Sequence, residues 1–448
     1  MSSQHEWNMR RGLGALLGAI ALMAPGGVAL AAEPSATATG GRGVYETPLA
    51  GEPFKTVFMG QELNIPARDR NNLTALSLGG TFYFPHQGDI MGSPIFALYL
   101  KRKWAEEQRL RAVVSIFVND VEYDKGFKGT PFEFVAIFNN NTIPGGQKEV
   151  LDNTTQNWTS ATWGTVNLLL GPGLRIPVAP NQADNDLRLQ LLGKVGYFYA
   201  HRNSDTGKVN DYPAVNYRLP SSTWNYGMKF RGRYDGLRRN LLELPHEGVA
   251  AGFDIDYTHR ANWDEWYGTP RNPQNPSNTR NYGQYAGYII GAAPIPGLSE
   301  KNIMLASIHG GGTDTNSSDR WNSFRVGGGP LPGESDDLCR VDYPGTMFNN
   351  ILVSNYTMAA IEYRRELTFF MFLHLRGSFI WAQQANYSLI DVGNTIAYRR
   401  TNGQAFTVGL ETGFLWDSSL YLDYSWDSGF VRDGKPGSGI LLLWNKSF

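Results

Sequence analysis

From about residue 73 to the C-terminus the sequence falls into stretches of about ten residues in which apolar side chains alternate with small or polar ones. Leu420, Leu422, Tyr424 and Trp426 lie on one side of such a stretch, and Tyr421, Asp423, Ser425 and Asp427 on the other. Successive side chains of a strand point to opposite faces, so a period of two selects β-strands over helices. The split recurs with Val249, Ala251, Phe253, Ile255 and Tyr257 against Ala250, Gly252, Asp254, Asp256 and Thr258, and with Trp224, Tyr226, Met228 and Phe230 against Asn225, Gly227, Lys229 and Arg231. It recurs again with Leu187, Leu189, Leu191, Val195, Tyr197 and Tyr199 against Arg188, Gln190, Lys194 and Gly196.

A soluble β-sandwich also alternates. Three features favour a transmembrane barrel instead. Aromatic residues gather near the ends of the apolar faces (Tyr199, Trp224, Tyr257, Trp381, Trp416, Trp426), where strands cross the lipid interfaces. The opposite faces carry Lys229, Arg231, Arg233, Asp254, Asp256, Glu362, Arg364, Glu411 and Asp423, which a dry core could not hold unpaired but a polar lumen can. Long polar connections near 139–158, 201–222, 261–281, 313–355, 383–403 and 427–437 alternate with short joins near 127, 180, 240, 297, 366 and 417, the rhythm of extracellular loops and periplasmic turns.

The N-terminus adds an address. Arg10 and Arg11 precede an apolar run from Leu13 to Met23, and Ala29-Leu30-Ala31 offers a small-x-small cleavage site, the pattern of a secretory signal peptide over residues 1–31. Pro25, Gly26 and Gly27 interrupt the run well short of the roughly 20 residues a spanning helix needs. The paired arginines leave the export route open. Residues 32–52 read as a flexible periplasmic segment, and 53–448 as the barrel, with a loop near 313–355. A net charge of −1 gives no reason to expect nucleic acid, and a single cysteine, Cys339, excludes an internal disulfide or cysteine-based zinc site.

Fifteen strand candidates start near residues 73, 94, 109, 132, 160, 186, 223, 244, 282, 301, 356, 368, 404, 419 and 438. Bacterial barrels have an even number, so one is missing, either at Pro53 to Leu63 or hidden between 73 and 142, and the expected total is sixteen. The chain ends on a strand, Gly439 to Phe448.

The last third resembles the BamA-like outer-membrane assembly factor superfamily, also called the bacterial surface antigen family. The residues that carry the resemblance are Ile303-Met304-Leu305-Ala306-Ser307 with Gly310-Gly311-Gly312, Phe324-Arg325-Val326-Gly327-Gly328-Gly329, Glu362-Tyr363-Arg364, Gly377 through Trp381, and Trp416-Asp417 with Leu422-Asp423-Tyr424. The resemblance implies a loop that folds into the barrel, and a terminal assembly signal in which Trp444 and Phe448 take part. Two departures stand out. The family's loop carries an Arg-Gly-aromatic tip that reaches an acid on the wall. Here that stretch reads Leu331-Pro332-Gly333-Glu334, and the wall position is Arg376. An inverted latch follows as an expectation, with Glu334, Asp336 or Asp337 reaching Arg376; the alternative is a solvated acidic tip with Arg376 meeting lumen carboxylates such as Glu362. The second departure is the length before Leu73, too short for a periplasmic polypeptide-transport module, so a separate periplasmic partner is expected.

Enzyme readings fare poorly. His374 shares a face with Arg376 and Ser378, but no nucleophile elbow accompanies it, and Gly310 to Gly312 lacks the Lys and Ser/Thr of a phosphate loop. Asn140-Asn141-Thr142 and Asn153-Thr154-Thr155 fit or approach glycosylation patterns of little weight in a bacterial envelope. No enzyme, cofactor or metal is expected. Two classes of function remain: a barrel that translocates or inserts a protein or lipid, with a first-to-last-strand seam weakened at Gly437 and Gly439, and a passive channel or surface antigen. Expected partners are outer-membrane lipid, lipopolysaccharide and the barrel assembly machinery during biogenesis.

Overall fold

The computed structural model describes residues 47–448 except for short stretches, the longest being 86–89, 144–148, 179–185, 214–218, 275–278, 329–337, 387–396 and 431–435. No helix is long and apolar enough to cross a membrane. The described elements are strands. Sixteen of them form a closed antiparallel barrel: β1 Leu73–Pro85, β2 Met91–Ala105, β3 Gln108–Ser115, β4 Val118–Gly126, β5 Phe132–Ile143, β6 Ala161–Pro177, β7 Asp186–Arg202 and β8 Thr223–Asp235, followed by β9 Pro245–Arg260, β10 Asn281–Pro294, β11 Asn302–Thr313, β12 Asn355–Thr368, β13 Met371–Asn386, β14 Ala397–Phe414, β15 Ser418–Asp427 and β16 Gly437–Ser447. A short strand, Arg238–Arg239, pairs on β9 as an extra outside the ring. Closure leaves no exposed edge in hydrocarbon, where every backbone N–H and C=O must be satisfied within the protein.

The expected strand pattern holds, and the missing strand is β4. Its join to β3 is only Ile116 and Phe117, closed by Ser115 Oγ donating to the Val118 carbonyl at 2.6 Å, so 108–126 carries no polar break and reads as one strand. The other candidate, Pro53 to Leu63, is no barrel strand. There Phe54–Phe58 pairs only with Gln61–Ile65, turning through Met59 and Gly60, both at positive φ. Pairing runs around the ring and closes between β16 and β1, from Gly437↔Pro85 to Ser447↔Ala75.

Alternation sorts the faces as expected. On β15, Leu422, Tyr424 and Trp426 are exposed toward lipid, while Asp423, Ser425 and Asp427 are buried inside. On β8, Trp224, Tyr226, Met228 and Phe230 face out and Asn225, Arg231 and Arg233 face in. The turns β8–β9, β10–β11 and β12–β13, with the β16 end, define the periplasmic rim, and the connections β5–β6, β7–β8, β9–β10 and β11–β12 define the other side.

Candidate functional site

The β11–β12 connection folds into the barrel rather than away from it. Its apolar residues Val326, Val341, Tyr343, Ile351 and Val353 are buried in one cluster with Tyr356, Met358 and Ala360 of β12, Ile380 and Ala382 of β13 and Ala405 of β14. The wall residues are the lumen face of those strands, so the loop supplies a core to a space that would otherwise hold water. Burying such side chains contributes roughly 1.5 to 3 kcal/mol each.

Three polar grips fix this loop. Near its start, Asp319 accepts from Arg260 Nη1 of β9 at 2.6 Å, and both side chains are fully buried. The Arg260 guanidinium lies 3.8 Å over Trp263 and 4.7 Å from the Tyr282 ring. Next to the pair, Trp321 packs edge-on against Trp163 at 5.1 Å and Phe198 at 5.7 Å. In the middle, His309 Nε2 of β11 lies 3.0 Å from the Leu338 carbonyl oxygen. At its far end, Arg376 of β13 donates from Nη1 to Asp342 Oδ2 at 2.8 Å and from Nη2 to the Asp342 carbonyl at 3.1 Å. Gly328 N donates to Thr346 Oγ1 at 2.9 Å, tying entry to exit.

This far end sits on the closing seam. A Cβ on Gly439 of β16 would stand 3.3 Å from Gly345 Cα, so loop and seam strand touch backbone to backbone. Asp342, Pro344, Gly345 and Thr346 share a small cavity with Thr81 and Tyr83 of β1 and with Gly439 and Leu441 of β16. Its other wall holds His374, Arg376, Tyr421 and Asp423. His374 Nε2 reaches Asp423 Oδ1 at 2.8 Å across β14, passing over Gly409, where a Cβ would lie 1.9 Å from Asp423 Oδ1.

Of the acids expected to meet Arg376, Glu334, Asp336 and Asp337 lie outside the described residues. The carboxylate on Arg376 is Asp342, later in the same loop, and Glu362 is its cross-strand neighbour on β12. Glu362 itself holds Arg364 at 2.5 Å, and Arg364 reaches the Pro245 carbonyl at 2.9 Å. Glu411 is buried on β14, next to the strand that carries His374.

The other lumen charges form a second network. Lys229 and Arg233 both lie 2.9 Å from Asp254, and Lys194 pairs with Asp256. Arg231 of β8 donates to both oxygens of Glu122 on β4 at 2.6 Å, and Arg111 joins at 3.1 Å. Arg175 of β6 holds Glu133 at 2.7 Å and Asp124 at 2.8 Å. Glu122 is 1% exposed, so strands four apart meet across the lumen. Sequence reading missed Glu122 and Asp124 because β4 was hidden, although 118–126 alternates, and it missed Glu133 on the expected strand β5 because its partner Arg175 lies on a separate strand.

Trp444 pairs in register with Leu78 of β1 and Leu420 of β15, and the Phe448 amide donates to the Thr74 carbonyl at 2.8 Å, extending the seam past β16. Among the described residues, no group of His, Cys, Asp and Glu could hold a metal ion.

One solved structure shares the fold, and others resemble it more distantly. BamA from Haemophilus ducreyi lacking POTRA domains 1–3 superposes with a TM-score of 0.50 at 11% identity, covering 91% of this chain and 76% of that one. CdiB from Acinetobacter baumannii gives 0.45 at 12% identity, over 90% of this chain and 66% of its own, and OmpT of Vibrio cholerae gives 0.36 at 9%, over 86% and 100%. No protein-family model and no curated protein sequence matches the chain. The BamA match bears out the expected fold likeness.

Proposed function

We propose that this barrel translocates or inserts a protein or lipid across or into the outer membrane by opening between β1 and β16, with the β11–β12 loop as its latch. The observation that carries the reading is the Asp342–Arg376 contact beside Gly345 and Gly439. The gripping end of a long inward loop lies against Gly439 of β16, which supports a reading in which docking the loop and closing the seam go together. The seam also has little side-chain packing of its own at its centre. Gly79 and Gly80 of β1 face Leu443 and Leu442, and at Gly79 a Cβ would lie 2.0 Å from the Leu442 carbonyl oxygen.

The passive-channel alternative fits less well, since buried ion pairs and the loop's apolar core occupy the lumen that solutes would cross. The reading is of a transport barrel, not an enzyme. It includes export on a cleaved signal peptide over residues 1–31, assembly by the barrel machinery, contact with lipopolysaccharide, and a separate periplasmic partner that delivers the client.

The test is a reversible lock. Thr81 and Leu441 are register partners, both buried on the lumen side. T81C/L441C, in a Cys339→Ser background, forms a disulfide across the seam under oxidising conditions. The expected result is loss of a defined envelope protein or lipid from the outer membrane on locking and its return with reductant. Unchanged outer-membrane composition in the locked state contradicts the reading.

A further inference from the structure

The periplasmic mouth carries a second closure that the loop does not make. The β8–β9 turn, residues 236–244, folds across the rim: Leu242 Cδ2 lies 3.4 Å from where a Cβ on Gly413 of β14 would stand, next to Phe370 of the β12–β13 turn. Leu237 of this turn is buried with Ala250, Tyr288, Ala292, Ile303 and Leu305, and the loop's Leu338 and Cys339 pack against that cluster from inside. The turn bends at Glu243, a non-glycine residue at φ 63°.

Residues 47–50 pair with this turn by main chain. Ala50 N donates to the Arg239 carbonyl at 2.9 Å, Leu241 N donates to the Pro48 carbonyl at 3.0 Å, and Leu49 bridges Asn240 in antiparallel sense. Thr47 is tied to Glu366 at the end of β12 and to Glu300 in the β10–β11 turn, on the same rim. The return of the segment is clasped: Arg70 Nε and Nη2 hold the two oxygens of Glu243 at 3.0 and 2.8 Å, while Arg68 Nη2 donates to Ser447 Oγ of β16 at 2.8 Å.

We propose that the 239–241 edge is a strand-accepting site for an extended polypeptide at the periplasmic mouth, and that residues 47–50 occupy it as an internal stopper clasped by Arg70–Glu243. Main-chain pairing is indifferent to side-chain identity, so any extended segment of suitable backbone can exchange with the stopper. The bidentate clasp keeps the resident segment in place until it is displaced. The identity of the exchanging partner rests on the reading of a polypeptide-handling barrel; the closure itself does not.

The chain carries its own reporter. Cys339 is the single cysteine and packs against the cluster that Leu237 completes. Labelling by a membrane-impermeant maleimide in detergent-solubilised full-length barrel therefore reads the closure. Arg70→Ala is expected to label about tenfold faster than the parent, the charge-swapped pair R70E/E243R to return toward the parent rate, and a synthetic peptide of residues 45–52 to accelerate the parent and, at lower concentration, Arg70→Ala. Heat-modifiable mobility on a gel shows that each variant is folded. A folded Arg70→Ala that labels at the parent rate overturns the proposal, and so does a peptide in excess that changes neither rate. If D342N alone exposes Cys339, the stopper fails and the loop latch stands. If Arg70→Ala and peptide act while D342N does nothing, the latch fails and the stopper stands.

Discussion

Arg376 on β13 and Asp342 in the β11–β12 loop meet through two hydrogen bonds, at 2.8 Å to the carboxylate and 3.1 Å to the carbonyl of the same residue. The second bond fixes the loop backbone as well as its charge, so the pair positions the loop rather than merely neutralising it. Asp342→Asn keeps the shape and weakens the charge-assisted bond, and the loop should undock more often, by about 1 to 3 kcal/mol. Protease sensitivity of the loop measures this. The swapped pair D342R/R376D should recover part of the loss, whereas an equally sensitive double variant argues against a direct coupling.

Arg260 and Asp319 make the loop's other ion pair, and this one is fully buried. Arg260→Ala leaves a fully buried carboxylate without its partner, at a cost of about 3 to 5 kcal/mol. Arg320, also buried, should then become a trypsin site. Resistance equal to the parent under matched conditions would mean that Trp321 and its aromatic neighbours hold the segment alone.

Gly409 is required by what passes over it. Gly409→Ala puts a Cβ within 1.9 Å of Asp423 Oδ1 and 2.1 Å of His374 Nε2, so the two side chains must separate. Overpacking of this kind costs about 1 to 3 kcal/mol and should lower the denaturant midpoint. In a His374→Ala background the same substitution should cost clearly less. Equal losses in both backgrounds would place the strain elsewhere.

Phe448 carries the seam one residue past β16 and is exposed at 73%. If Phe448 acts with Trp444 as a C-terminal assembly signal, its deletion should reduce the amount of heat-modifiable barrel in the membrane without changing the stability of the fraction that does assemble. A normal yield would remove it from that role.

Much of the barrel was legible because lipid and lumen impose opposite polarity on neighbouring residues, and that period survives in the sequence. The hidden strand was lost at its boundary, where Ile116 and Phe117 turn the chain without a polar residue, so that the alternation on either side runs together. The lumen charges were legible as charges, but their partners were not. Arg231 meets Glu122 from four strands away, a consequence of the closed ring and not of spacing along the chain. The grip on Arg376 shows the same limit. Strand period put Arg376 on the lumen wall, yet Asp342 lies in a loop whose path is set by Val341 and Tyr343 packing on β12 to β14, and no local pattern reveals that. The pairing of residues 47–50 with the 239–241 edge left no mark, because it is main-chain, and the side chains that flank it, Thr47 and Arg70, find partners far away along the chain.

Planar-bilayer conductance tests the central claim most directly, since a latched barrel and an open pore differ there by state and not by degree. The account predicts that the intact barrel is largely silent, and that removing residues 325–345 together with Arg70→Ala, which releases both closures, gives stable conductance. A steady pore in the intact protein, unchanged by the deletion and by Arg70→Ala, would contradict it.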